Sequence, residues 1–276
     1  MSAAKKTGIP ARPVGQGEDL RRIRLIVAYD GTNYCGWQKQ PNGVTIEEML
    51  NGALKDLTGE DIEVIGASRT DAGVHAYGNV AVFDTKARMA ADRFAYALNV
   101  RLPEDIRVQY SDEVPADWHP RKQVSTKTYE YRILNRRMPI PTERLYSYFT
   151  YHELDVGKMQ EATGYFIGTH DFTSFCSVKT QAKTAVRSIY SLQVWEDGDM
   201  ITIRISGGGF LYNMVRIISG TLLKIGMGVW EPDIVPQILA ARDRQLAGET
   251  LPACGLTLLG IEYDDEAEYT EEEEDL

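Results

Sequence analysis

The sequence predicts an α+β protein built from two similar mixed lobes, with a largely antiparallel central sheet and a cleft between them. Three observations lead there. Strand-like alternation and helix-like spacing both occur in each half of the 276-residue chain. The second half carries a hairpin signal, Glu196-Asp197-Gly198-Asp199, between two alternating runs. No long uniform stretch points to a bundle, solenoid or membrane protein.

The elements follow in order. Residues 1–20 lack periodicity and read as a flexible basic arm. Arg22 to Tyr29 alternates, with Ile23, Leu25, Val27 and Tyr29 on one face, and predicts a strand. Asp30-Gly31-Thr32 signals a turn. Thr45-Ile46-Glu47-Glu48 is a capping box that opens a helix to about Leu57. A short apolar run, Ile62 to Ala67, comes next, then a polar segment from Ser68 to His75. Strands are expected over Asn79 to Asp84 and Ile106 to Val114, with a helix over Ala91 to Val100 between them. A boundary near residue 120 divides the lobes, as residues 21–120 and 121–263. The second lobe starts with a strand over Thr128 to Leu134 and a helix over Val156 to Phe166. The hairpin arms are Val186 to Trp195 and Met200 to Ser206. Helices are expected over Phe210 to Ile225 and Ile234 to Arg242, and Leu256 to Tyr263 closes as a strand.

Composition bounds the function. Hydrophobic residues make up 43% of the chain and charged residues 25%, enough to fill a core. The net charge of −10 is misleading, because nine of the 40 acids lie from Asp264 onward with no base among them. Residues 264–276 read as a disordered acidic tail, or as an arm that competes with RNA for a basic cleft. The body is nearly neutral. Seven bases between Arg121 and Arg144 face two acids there, either as a solvated face or as a binding patch. The richest apolar stretch, Gly207 to Trp230, holds Arg216 and Lys224, so no membrane span is expected. Three distant cysteines (Cys35, Cys176, Cys254) and the absence of a leader-like segment point to reduced thiols and a cytoplasmic protein. Four histidines and three cysteines show no metal-ligand spacing, so no metal is expected.

Two segments carry candidate chemistry. Arg69 to His75 is a polar loop between apolar runs, and it places the Asp71 carboxylate two residues from the Arg69 guanidinium. Such an Asp serves either as nucleophile or base, or merely closes an Asx-turn. Gly207-Gly208-Gly209, just before the expected helix, allows either backbone amides to meet a phosphate or close packing.

Taken together, several segments resemble one family. Arg69-Thr70-Asp71-Ala72-Gly73-Val74-His75-Ala76 is similar to the signature of the TruA-type tRNA pseudouridine synthases. So are Tyr29 to Gln38, Lys127 to Arg132, His170-Asp171-Phe172 with Phe175, Phe210 to Arg216, and Pro252 to Leu258, in the same order. The resemblance implies an enzyme that isomerises uridine to pseudouridine in the anticodon arm of tRNA, as a homodimer and without a cofactor. It implies that Asp71, Tyr129 and Arg216 are catalytic, with Asp71 the essential carboxylate, Tyr129 stacking on the base and Arg216 pairing with Asp71. It implies that Arg69 holds the flipped nucleotide and that Leu256 or Leu258 lines the base pocket. Lys127 lies on the Tyr129 face of its strand and is expected to reach phosphate, whereas Arg132 points to the other face. Phe172 and Phe175 are expected in the core. Ser68 departs from the family motif, which usually has Gly there. A non-catalytic RNA-binding module is the alternative. A glycosidase-like hydrolase would need a second carboxylate, and the local candidate is Asp84, with nothing in the sequence to suggest pairing.

Overall fold

The computed structural model describes residues 20–177 and 183–264. The N-terminal arm, apart from Leu20, and the acidic tail, apart from Asp264, lie outside them.

The elements are β1 (Arg21–Tyr29), α1 (Ile46–Thr58), β2 (Ile65–Gly66), β3 (His75–Thr85), α2 (Arg93–Asn99), β4 (Ile106–Val114), β5 (Ser125–Asn135), β6 (Tyr148–Thr150), α3 (Val156–Thr163), β7 (Gly168–Asp171), β8 (Val186–Asp197), β9 (Met200–Gly207), α4 (Met214–Gly226), α5 (Ile234–Ala241) and β10 (Leu256–Tyr263). The strands form one sheet of ten, in the order β4-β1-β3-β10-β5-β9-β8-β7, with β2 added to β3 and β6 to β5. Pairing is antiparallel except for β3 with β10 and β5 with β6. The last strand therefore sits at the centre, between strands of the N-terminal and C-terminal halves.

Alternation decides the two faces. Ile23, Leu25, Val27 and Phe83 share one face with Tyr129, Tyr131, Leu256 and Leu258, and the main core forms there. Helices α1, α3 and α4 bury their apolar sides in the same core. The other face of the N-terminal strands carries paired charges, such as Arg22 with Asp84 at 2.7 Å and Arg24 with Asp112 at 2.6 Å. A small cluster of Ala67, Val80, Val82 and Trp118 covers part of it. Thr45 caps α1, its hydroxyl accepting from the Glu48 amide at 3.3 Å, as the capping box predicts.

The differences from the expected elements have local causes. α3 ends at Thr163, because Gly164 begins a tighter turn in which the Tyr165 amide reaches back only to Ala162. β3 starts four residues early, at His75, where β10 pairs with it in parallel. α4 starts at Met214 rather than Phe210, because Asn213 adopts a left-handed φ of 63° that helical backbone excludes. Phe172 and Phe175 are fully buried.

Candidate active site

The Asp71 loop enters β3 and is clamped from both sides. The Trp37 amide donates to the Thr70 carbonyl at 3.0 Å, and the Val74 amide to the Asp71 carbonyl at 3.1 Å. Gly73 turns the chain at a φ of 80°. Gly36 presses its backbone on the loop, so that a Cβ there would lie 2.6 Å from the Thr70 carbonyl oxygen. Underneath lies a buried polar network. Asn79 on β3 accepts from the Ser68 amide (3.2 Å) and donates to the Ser68 carbonyl (2.9 Å) and the Tyr29 hydroxyl (3.3 Å). The Tyr29 hydroxyl and the Thr70 hydroxyl share a hydrogen bond of 2.7 Å. Arg69 is thus gripped at both neighbours, while its own side chain stays exposed.

A cavity of about 760 Å³ opens beside this loop. Its wall includes Arg69 and Asp71 from the loop, Lys127 and Tyr129 from β5, Phe210 to Val215, Leu256, and Arg121. The volume is within the usual range for a small-ligand site. Of the two leucines, Leu256 reaches the cavity. Leu258 is fully buried and packs into the core opposite Tyr129. The Tyr129 ring meets Phe210 edge-on, with centroids 5.3 Å apart.

Arg216 comes from α4 and reaches Asp71 with Nη1 at 3.5 Å from Oδ2. Two firmer bonds aim it: Nε donates to the Leu251 carbonyl at 2.6 Å and Nη1 to Asn213 Oδ1 at 2.7 Å. The left-handed Asn213 that stops the helix is also the residue that orients this guanidinium. Burial raises Asp71 above its ordinary carboxylate value, and the charge and hydrogen bond of Arg216 offset only part of that rise. Arg216 thus limits the cost of ionising Asp71 without cancelling it. Tyr129 is pushed up to about 12, chiefly by burial, so its hydroxyl is protonated at neutral pH.

Asp71 is ion-paired with Arg216, as the resemblance implies, and not with Arg69 beside it in sequence. Other expectations meet a different surrounding. The positive segment after Arg121 is not one free patch: Arg132 pairs with Glu143, Arg136 with Asp199, and Glu130 with Arg204. Asp84 is held by Arg22 on the opposite face of the sheet and offers no second carboxylate to Asp71. His75, at the end of the Asp71 loop, joins two other segments: its Nδ1 lies 3.1 Å from the Gly31 amide and its Nε2 2.9 Å from the Leu145 carbonyl. Gly207 and Gly208 serve close approach, since Cβ atoms there would lie 2.5 Å from the Ser188 carbonyl and 2.8 Å from the Tyr190 hydroxyl. The three cysteines are free thiols. Among the described residues, no helix is long and apolar enough to cross a membrane, and no three metal-ligating side chains converge.

Asn79 escaped the sequence reading. Its signal was an amide on the inward face of an alternating strand, in line with Ala81 and Phe83.

Comparison with known proteins converges with this geometry. A family model described as tRNA pseudouridine synthase matches residues 25–121 and 162–264. The chain is 48% identical to tRNA pseudouridine synthase A of Acetivibrio thermocellus over 88% of its own length and 100% of the relative's. The same coverage relates it to the enzymes of that name from Ruminiclostridium cellulolyticum, at 48%, and Caldicellulosiruptor bescii, at 45%. A solved chain of a Cbf5-Nop10-Gar1 complex superimposes with a TM-score of 0.31 and 12% identity over 86% of this chain and 47% of its own, too loosely to bear on the fold. A loop-borne aspartate, ion-paired with an arginine and opening on a cavity, is the arrangement of an enzyme site. By these matches the chain belongs to the tRNA pseudouridine synthase family.

Proposed function

We propose that the chain isomerises uridine to pseudouridine in the anticodon stem-loop of tRNA, with Asp71 as the essential carboxylate. The observation that carries the proposal is the Asp71 carboxylate, fixed on a clamped loop 3.5 Å from Arg216, at a cavity that Tyr129 also walls. The reaction breaks the N1–C1′ bond, turns the base and joins C5 to C1′. The C5 proton leaves and N1 gains one, so there is no net oxidation. A carboxylate at C1′ stabilises or traps the charge that develops there. Arg216 holds that carboxylate in place. The ring of Tyr129 packs against the extruded base, as a flipping enzyme requires. Its hydroxyl is protonated at rest, so it can take the C5 proton only after losing its own. Arg69, exposed at the cavity mouth, holds the flipped nucleotide, Lys127 meets phosphate, and Leu256 forms the apolar edge of the base pocket. The enzyme works in the cytoplasm as a homodimer, with an N-terminal lobe of residues 21–120 bearing the Asp71 loop and a C-terminal lobe of residues 121–263.

Release of tritium from unmodified tRNA carrying [5-³H]uridine tests the proposal. Wild type is expected to release it. Asp71→Asn is expected to lose at least about a thousandfold in rate, as nucleophile removal typically does, while still binding tRNA. Binding without release by wild type would overturn the catalytic reading and leave an RNA-binding module.

A further inference from the structure

Two cations on the core face of the sheet stand without a counter-charge among the described residues. Lys127 of β5 lies opposite Gly207 of β9, and Gly207 lies opposite Ile189 of β8. Arg187 is two residues before Ile189, so alternation sends its side chain from the same face as Lys127 and Tyr129. Gly207 interposes no side chain between the two. Arg187 is only 4% exposed, yet no described carboxylate pairs with it. One Nη donates to the carbonyls of Thr184 (3.0 Å) and Val186 (2.5 Å), while Nε is buried and has no hydrogen-bond partner. Lys127 walls the cavity and makes no hydrogen bond or ion pair with any described residue. Arg121 walls it too, repelled by Arg69 and attracted by Glu47.

A cation taken out of water without an anion is costly to a fold, and here a buried one, Arg187, stands beside a half-buried one, Lys127. The electrostatics agree. Burial and the repulsion of Arg187 and Arg121 pull Lys127 down to about 8, and burial lowers Arg187 as well. The two groups suit a phosphodiester: one a point charge, the other a planar fork with an unused N–H. Base flipping also demands such a site, because the nucleotide swings about its backbone and a neighbouring phosphate must be held meanwhile.

We propose that Lys127 and Arg187 form an anion subsite that takes one phosphodiester of the RNA substrate, on the side of Tyr129 away from Asp71. The inference rests on the tRNA-modifying reading above. The subsite anchors the strand while the target uridine enters the cavity, and Arg187 supplies the buried half of the grip.

Two measurements on the full chain test it. First, binding of an unmodified anticodon stem-loop is followed against salt for wild type, Lys127→Gln and Arg187→Lys. Losing one phosphate contact is expected to reduce the slope of log K against log salt by about 1 in Lys127→Gln. Second, each phosphodiester near the target uridine is replaced in turn by a neutral methylphosphonate. Wild type is expected to lose about tenfold in affinity at one linkage, the size of a charge-assisted contact, and Lys127→Gln to lose nothing there. Arg187→Lys keeps the charge without the fork, and is expected to retain the slope while weakening that same linkage. Thermal melting guards against misfolding: relieved of an uncompensated charge, Lys127→Gln is expected to melt no lower than wild type. An unchanged slope in Lys127→Gln, or equal sensitivity of wild type and Lys127→Gln at every linkage, overturns the subsite even if wild type makes pseudouridine. No pseudouridine from wild type overturns instead the reading on which the subsite rests.

Discussion

Asp71 shows how one side chain carries opposing demands. Its carboxylate is raised by burial and only partly restored by Arg216, so acid protonates it at a pH above the ordinary carboxylate range. Activity is therefore expected to fall with decreasing pH at an unusually high value. Arg216→Met removes the offsetting cation and is expected to move that acid limb of kcat/KM to still higher pH. A limb that stays in place would show that Arg216 does not govern the ionisation. The same shift bears on stability. The folded state holds the Asp71 proton more tightly than the unfolded chain does, so stability declines as pH rises through the raised value. Asp71→Asn is expected to melt higher than wild type at pH 7, and the gap is expected to close once pH drops below the ordinary carboxylate range. The residue pair itself was legible in the motifs. What they could not convey is that Arg216 takes its aim from the Leu251 carbonyl and Asn213, groups whose approach depends on how α4 begins.

Individual elements were legible wherever local chemistry decides them. Thr45 caps α1, and β4 and β10 follow the alternation of their own side chains. Boundaries moved where a partner or an unusual φ intervened, at His75 beside β10 and at Asn213. The Asn79 network belongs to this scale, because it joins β1, β3 and the two residues flanking Arg69. Asn79→Ala leaves the Ser68 amide and the Tyr29 hydroxyl each short of a partner. The expected cost is about 1–3 kcal/mol by urea unfolding, together with a lower kcat as the loop loosens. Equal kcat in the variant would confine the network to stability. Asn79 and Arg187 share one sequence signal, a polar residue on the inward side of an alternating strand. Each was visible as an exception, but an exception names no partner.

The whole molecule depends on its last described strand. β10 pairs with β3 on one side and β5 on the other, and buries Leu256 and Leu258 in the core on which both halves rest. A chain ending at residue 255 is expected to lose the cooperative unfolding transition seen by circular dichroism, whereas one ending at residue 264 keeps it. A folded 255-residue chain would contradict that dependence. The sequence by itself determined the fold class and most of the strands and helices, because alternation, caps and turn residues act over a few positions, and its resemblance to a family pointed to Asp71, Tyr129 and Arg216. Only the tertiary structure decided how the pair is built: Arg216, 145 positions from Asp71, is aimed by the Leu251 carbonyl and Asn213 and stands 3.5 Å from the carboxylate. It also decided which leucine reaches the cavity, and that Arg187 lies buried with no anion among the described residues. Those outcomes depend on sheet order and on burial, and both arise from contacts between residues that no local pattern connects.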